Sequence, residues 1–241
     1  MNLKKLLDGI NIDADWIGLR KVKETATYRV IRDNNPVSNH KDQSHGIMVE
    51  VLKDGQFGYC GTNRFDSDSI QFAAEEALTQ AKSASSYSLC SFSEDARPKS
   101  TGEYSSQYIK NANSVSPGEL NDLLIKANKA LKVSDQIVSV SAYGIITETE
   151  FDFVSTNGSH TNQNFLMITT DFSANAQDGN VLQRRTGGRS GNQVGMEVFE
   201  EDRILSLCNT IGEQAIELLT AEECPTGNFD LVLTPDQMML Q

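Results

Sequence analysis

Histidine and cysteine are scarce in this sequence, three of the first and four of the second in 241 residues. No two histidines lie one helical turn apart, so the common hydrolytic zinc spacing is missing. Cys60, Cys90, Cys208 and Cys224 form no Cys-x-x-Cys pair and are too sparse for a disulfide scaffold, which leaves reduced thiols as the expectation. Long apolar runs are also absent: the longest is Phe165 to Ile168, far short of the ~20 residues of a bilayer-spanning helix. The N-terminus, Met1 to Asp8, has two lysines but no apolar signal core, so a cytoplasmic address is expected. Basic residues are outnumbered, 21 against 33 acidic, for a net charge of −12. A chain so acidic gains no counterion-release energy from phosphates, which argues against direct nucleic-acid binding and against anionic membranes.

What is present reads as two similar units. Leu3, Leu6 and Leu7 share the face of a short opening helix. Trp16 to Asp33, rich in Ile, Val, Thr and Tyr, fits two strands or one continuous strand with a bend, closed by the Asp33-Asn34-Asn35-Pro36 turn. Gly46–Leu52 and Gln56–Thr62 flank Lys53-Asp54-Gly55, a hairpin signal. Ile70, Ala73, Ala74, Ala77, Leu78 and Ala81 then predict a helix over about 67–84. Residues 83–116 are polar with little periodicity apart from Tyr104 to Ile109. Ser116-Pro117-Gly118-Glu119 is a capping box that opens a second helix striped by Leu120, Leu123, Leu124, Ala127 and Leu131. Extended segments 137–156, 160–176 and 181–189 follow, separated by Asn157-Gly158 and by the Asp178-Gly179 turn. A long helix carries Ile204 to Leu219, and Phe229 to Leu233 is a short apolar strand.

The fold class is therefore α+β: two successive units of helix, three antiparallel strands and helix, a duplication inferred from element order alone. The first unit spans 1–88, a polar connector 89–115, and the second unit 116–224. Thr234-Pro235-Asp236-Gln237 is a further capping box that announces a helix only a few residues before Gln241, so a chain continuing beyond Gln241 is the expectation.

Few residues suggest chemistry. Arg184-Arg185-Thr186-Gly187-Gly188-Arg189-Ser190-Gly191 gathers three arginines beside flexible backbone, able to hold a carboxylate or phosphate by charge and exposed N–H groups. It lacks the Lys-Ser/Thr ending of a P-loop, and an ordinary strand end is the competing reading. Arg184, Arg185 and Arg189 are thus the candidate substrate-binding residues, and no residue qualifies as catalytic or metal-ligating. His40 and His45 read as surface histidines in a polar loop, with His160 just past a hairpin. Cys60 with His40 or His45 would supply the types of a thiol–imidazole nucleophile, but a buried strand cysteine is the simpler reading. Asn157-Gly158-Ser159 is hairpin chemistry rather than a glycosylation site.

Three stretches together resemble the TldD/PmbA family, whose members were named modulators of DNA gyrase and are regarded as metallopeptidases. They are Gly46 to Tyr59 with its Asp-Gly-x-x-Gly turn, Ile70 to Lys82 with Glu76-Ala77-Leu78-x-x-Ala81-Lys82, and Phe229-Asp230-Leu231-Val232-Leu233-Thr234-Pro235. The resemblance implies the family's N-terminal fold, with 225–241 as the start of a C-terminal metallopeptidase domain. In the TldD branch the helix after the third stretch continues into His-Glu-x-x-x-His. There two histidines and a later cysteine hold zinc, and the glutamate activates water. That motif is absent from these 241 residues, so no catalytic residue carries over, no cofactor is expected in this chain, and zinc is implied only for a full-length protein. A peptide or unfolded-protein substrate, and a homodimer or a heterodimer with a paralogue, are likewise implied. The alternative is a non-catalytic PmbA-like partner or peptide-binding module. A DNA-associated role conflicts with the −12 charge.

Overall fold

Turns form where the sequence supplies residues that tolerate positive φ. Asp33 and Asn34 (φ 48° and 64°), Asp54 and Gly55 (51° and 75°), Gly158 (89°) and Gly179 (54°) occupy that region in the computed structural model. Each sits between two antiparallel strands. They join β1 (Trp16–Arg32) to β2 (Asn35–Lys53), β2 to β3 (Gln56–Thr62), β5 (Ile137–Ser155) to β6 (His160–Asp178), and β6 to β7 (Val181–Asn192). The structure describes residues 2–235, 237 and 238, without the side chain of Arg189.

Helix ends follow their caps. Asn2 accepts from Lys5 N–H ahead of α1 (Leu3–Asp8), and Asp66 accepts from Ser69 N–H ahead of α2 (Ser67–Ser85). Ser116 and Glu119 form the reciprocal capping box of α3 (Pro117–Leu131), with Pro117 in the first turn. Helix α4 (Glu201–Glu217) is capped by Glu200 and runs into a 3₁₀ turn at Leu218–Thr220. A fourth strand, β4 (Thr101–Ser105), arises inside the polar connector.

The two units share one sheet. Its order is β3-β2-β1-β5-β6-β4, with β7 also on β6, and β1 pairs with β5 from Gly18 opposite Ser155 to Arg32 opposite Ser141. Strands of 17 to 19 residues make it roughly 60 Å long at the usual rise. Ile17, Leu19 and Ile31 are all odd positions of β1 and so share a face. Ile17 and Leu19 join Val49, Val51, Ile70 and Ala74 in one apolar cluster under α1 and α2. Ile31 joins Leu124, Ala142, Ile168, Phe172 and Ile211 in a second under α3 and α4. Between the clusters the same face turns polar: Lys21 pairs with Asp152 at 2.7 Å and Lys23 with Glu150 at 2.8 Å.

Several sequence expectations change. Of the two readings open for Trp16 to Asp33, the structure takes the continuous one, a single strand from Trp16 to Arg32. The segment holding His40 and His45, read as a polar loop, belongs to β2: pairing with β1 satisfies its backbone, while exposure of side chains on both faces removes the alternation that marks a strand. The connector gains β4 because β7 leaves His160–Asn164 of β6 uncovered, and β4 pairs there in parallel. Phe229–Leu233 forms no strand. Phe229, Leu231 and Val232 stay exposed, with no neighbouring strand among the described residues to pair with. Cys60 lies on β3 as expected but is only half-buried. The helix announced at Thr234 falls largely on Asp236 and Met239 to Gln241, outside the described residues.

Candidate functional site

The site begins with a mismatch of strand lengths. β3 ends at Thr62 because the chain turns toward the Asp66 cap of α2, so it covers only Ile47–Lys53 of the longer β2. From Asn35 to Gly46 no strand pairs with the outer edge of β2 among the described residues. Such an edge offers unpaired backbone donors and acceptors, and this one carries Pro36, Lys41 and Asp42, the residues that discourage indiscriminate pairing. At the junction where β3 stops lies a hollow of about 590 Å³, lined by Arg20, Val22, Gly46, Met48 and Gly61 among others. Met48 is an exposed apolar side chain there.

One step along the strand, Glu50 is buried on the face opposite α2. Arg97 clasps it from the connector: Nη2 donates to Oε1 at 3.1 Å and Nε to Oε2 at 3.4 Å. These bonds raise the Arg97 guanidinium above its ordinary value, despite the opposing effect of burial. The guanidinium also lies 4.6 Å from the Phe57 ring centroid, and Phe92 packs on the same ring. The clasp thus fixes the connector to the sheet. Arg20 Nη2 stands 3.8 Å from Glu50 Oε1, beyond hydrogen-bond range.

The residues singled out from sequence lie elsewhere. Arg184 and Arg185 are exposed on β7, three strands across the sheet from β1. As strand neighbours they point to opposite faces, and Arg185 Nε donates to Gln214 Oε1 of α4 at 2.7 Å. Arg189 lies in β7, but its side chain is outside the described residues. A Cβ at Gly187 would come within 2.8 Å of Ile211, so this glycine serves the close seat of α4.

The histidines do not converge. His40 stacks on Tyr28, 4.5 Å between centroids, with Nδ1 2.8 Å from Ser38 Oγ and Nε2 3.4 Å from Asp42. His45 packs on Phe65, and His160 opens β6 far across the sheet. The Cys60 thiol packs against the first apolar cluster and has the Gly61 carbonyl as its polar partner, with no imidazole hydrogen-bonded to it among the described residues. Among the described residues no three His, Cys, Asp or Glu side chains are grouped to hold a metal ion, so a zinc ion finds no matching donor set here. No described helix is long and apolar enough to cross a membrane.

Sequence reasoning missed Arg20, Glu50 and Arg97. The available signal was Glu50 itself, a lone carboxylate within the apolar run Ile47 to Leu52.

The geometry has relatives. Residues 19–81 match the family model described as PmbA/TldA metallopeptidase domain 1, and residues 110–221 the PmbA/TldA metallopeptidase central domain. The chain belongs to the PmbA/TldD family. A relative from Methanothermobacter thermautotrophicus, named metalloprotease, is 25% identical over 94% of this chain and 51% of its own length. Among solved structures, a protein named as a modulator of DNA gyrase from Thermotoga maritima matches with a TM-score of 0.67 at 16% identity, over 88% of this chain and 46% of that one. TldE from Thermococcus kodakarensis matches with a TM-score of 0.66 at 14% identity, over 89% and 47%. At these identities the solved structures show the fold. The chain spans about half the length of the curated relative it matches. Within the PmbA/TldD frame, the first matched domain holds the free β2 edge, Arg20 and Glu50, while the central domain holds β5 to β7 and the three arginines of β7.

Proposed function

We infer that this chain is the substrate-holding scaffold of a PmbA/TldD zinc metallopeptidase. It receives an extended peptide, while the hydrolytic chemistry belongs to residues beyond those described here. The observation that carries this reading is the unpaired outer edge of β2 from Asn35 to Gly46, ending at the hollow beside Gly46 and Gly61. An extended segment laid there gains main-chain hydrogen bonds without sequence preference, which suits a peptidase acting on peptides or unfolded chains. The metallopeptidase family match supports the activity. The donor-poor histidine arrangement supports placing zinc outside the described residues.

Amide hydrogen exchange tests the docking. With a saturating unstructured peptide, amides within 35–46 should slow, because an added strand protects edge N–H groups. Bound peptide with unchanged exchange across 35–46 would refute docking at this edge.

A further inference from the structure

We propose that Arg20 is a carboxylate receptor, and that the hollow it shares with Phe151 and Phe153 takes the C-terminal residue of a peptide. This rests on the peptide-docking reading and adds to it the end of the substrate that is recognised.

The argument starts from a charge count. Glu50 is one buried carboxylate with two guanidinium neighbours, and both of its oxygens are taken by Arg97. Arg20, 3.8 Å away and 47% exposed in its side chain, makes no hydrogen bond with any described residue. The cluster therefore keeps one positive charge, on a chain whose net charge is −12. A planar guanidinium with free donors fits a carboxylate bidentately.

The surroundings select which carboxylate. Arg20 lines a hollow of about 420 Å³ together with Phe151, Phe153, Thr161 and Gln163, a volume within the usual range for small-ligand pockets. Phe151 and Phe153 offer half-buried aromatic surface beside the cation. The Thr161 and Gln163 side chains have no hydrogen-bond partner among the described residues and can engage the last peptide group. A C-terminal residue carries its carboxylate and its side chain on one carbon, so both requirements are met at once. An Asp or Glu side chain brings the charge but no apolar group at that spacing.

Calorimetry of this chain with Ala-Ala-Phe as free acid and as amide tests the proposal, with Ala-Glu-Ala amide to represent a side-chain carboxylate. The free acid should bind at least about tenfold more tightly than either amide, the scale of one charge-assisted bidentate contact. Arg20→Gln should abolish the difference while leaving the circular dichroism and unfolding midpoint unchanged, because Arg20 is half exposed and outside the Glu50–Arg97 clasp. Equal binding of acid and amide to the unmodified chain overturns the proposal without needing any variant. So does a match between Ala-Glu-Ala amide and the free acid, or a folded Arg20→Gln chain that keeps the preference. Loss of acid–amide selectivity with exchange protection of 35–46 intact counts against this site alone. Absent protection counts against the docking reading.

Discussion

Replacing Gly58 by alanine should unseat α2 from β3. A Cβ at position 58 would overlap the Ala77 carbonyl oxygen and lie 2.8 Å from Ala81 N. Both are backbone atoms of α2, which cannot rotate aside as a side chain does. Relief requires helix and strand to part by roughly 1 Å, a gap that forfeits a large share of each dispersion contact between them. Those contacts include Ala73, Ala74, Ala77 and Ala81, all fully buried. Overpacking of this kind costs about 3 kcal/mol, near the top of its usual range because backbone meets backbone. For a chain of this size that lowers Tm by about 6–12 °C. Gly61→Ala on the same strand is the matched control. Its Cβ meets Met48 Cε at 3.7 Å, an ordinary contact, so stability should stay within about 0.5 kcal/mol of the parent. Thermal unfolding followed by circular dichroism measures both. Equal midpoints for the two variants would refute the packing argument.

Other outcomes follow from named groups. A thiol reagent should modify Cys60, Cys90 and Cys224 in the native chain and reach Cys208 only after unfolding, because burial on the inner face of α4 pushes that thiol up to about 12; four fast thiols would contradict this. Burial alone would raise the Glu197 carboxyl, but amide donors from Lys110, Ile109 and Gly195 outweigh it and bring it to about 2. Its contribution is then complete above the ordinary value of 4.5 and lost as pH falls toward 2, so urea midpoints of the parent and Glu197→Gln should differ at pH 7 and converge near pH 2. In a protein extended to the length of its relatives, changing Arg184, Arg185 and Arg189 together to Gln should weaken peptide turnover at unchanged zinc content if these arginines help dock substrate. Turnover equal to the parent would leave them as strand-end residues.

Local signals were legible and long-range ones were not. Asp54-Gly55, Asn157-Gly158 and the Ser116–Glu119 capping box each specify geometry within four residues, and each forms as its sequence implies. The pairing of β1 with β5 joins residues more than 100 positions apart, and nothing in either strand names its partner. His40 and His45 were misplaced because a strand exposed on both faces carries no alternation to read. Phe229 to Leu233 is the reverse case, with strand-like composition and no partner among the described residues. Arg20, Glu50 and Arg97 come from β1, β2 and the connector, so only the oddity of a carboxylate among Ile47, Val49 and Val51 hinted at their meeting. The arginines of β7 stood out in sequence because three fall within six residues, yet β7 presents Arg184 and Arg185 to opposite faces.

Zinc content and peptide hydrolysis, measured side by side on this chain and on a protein extended to the length of its PmbA/TldD relatives, test the division of labour most directly. The extended protein should hold zinc after dialysis and cleave an unstructured peptide, while this chain binds the peptide, holds no stoichiometric zinc and cleaves nothing. Zinc retained by this chain and lost in His40→Ala or His45→Ala, or an extended protein without zinc, would contradict the account.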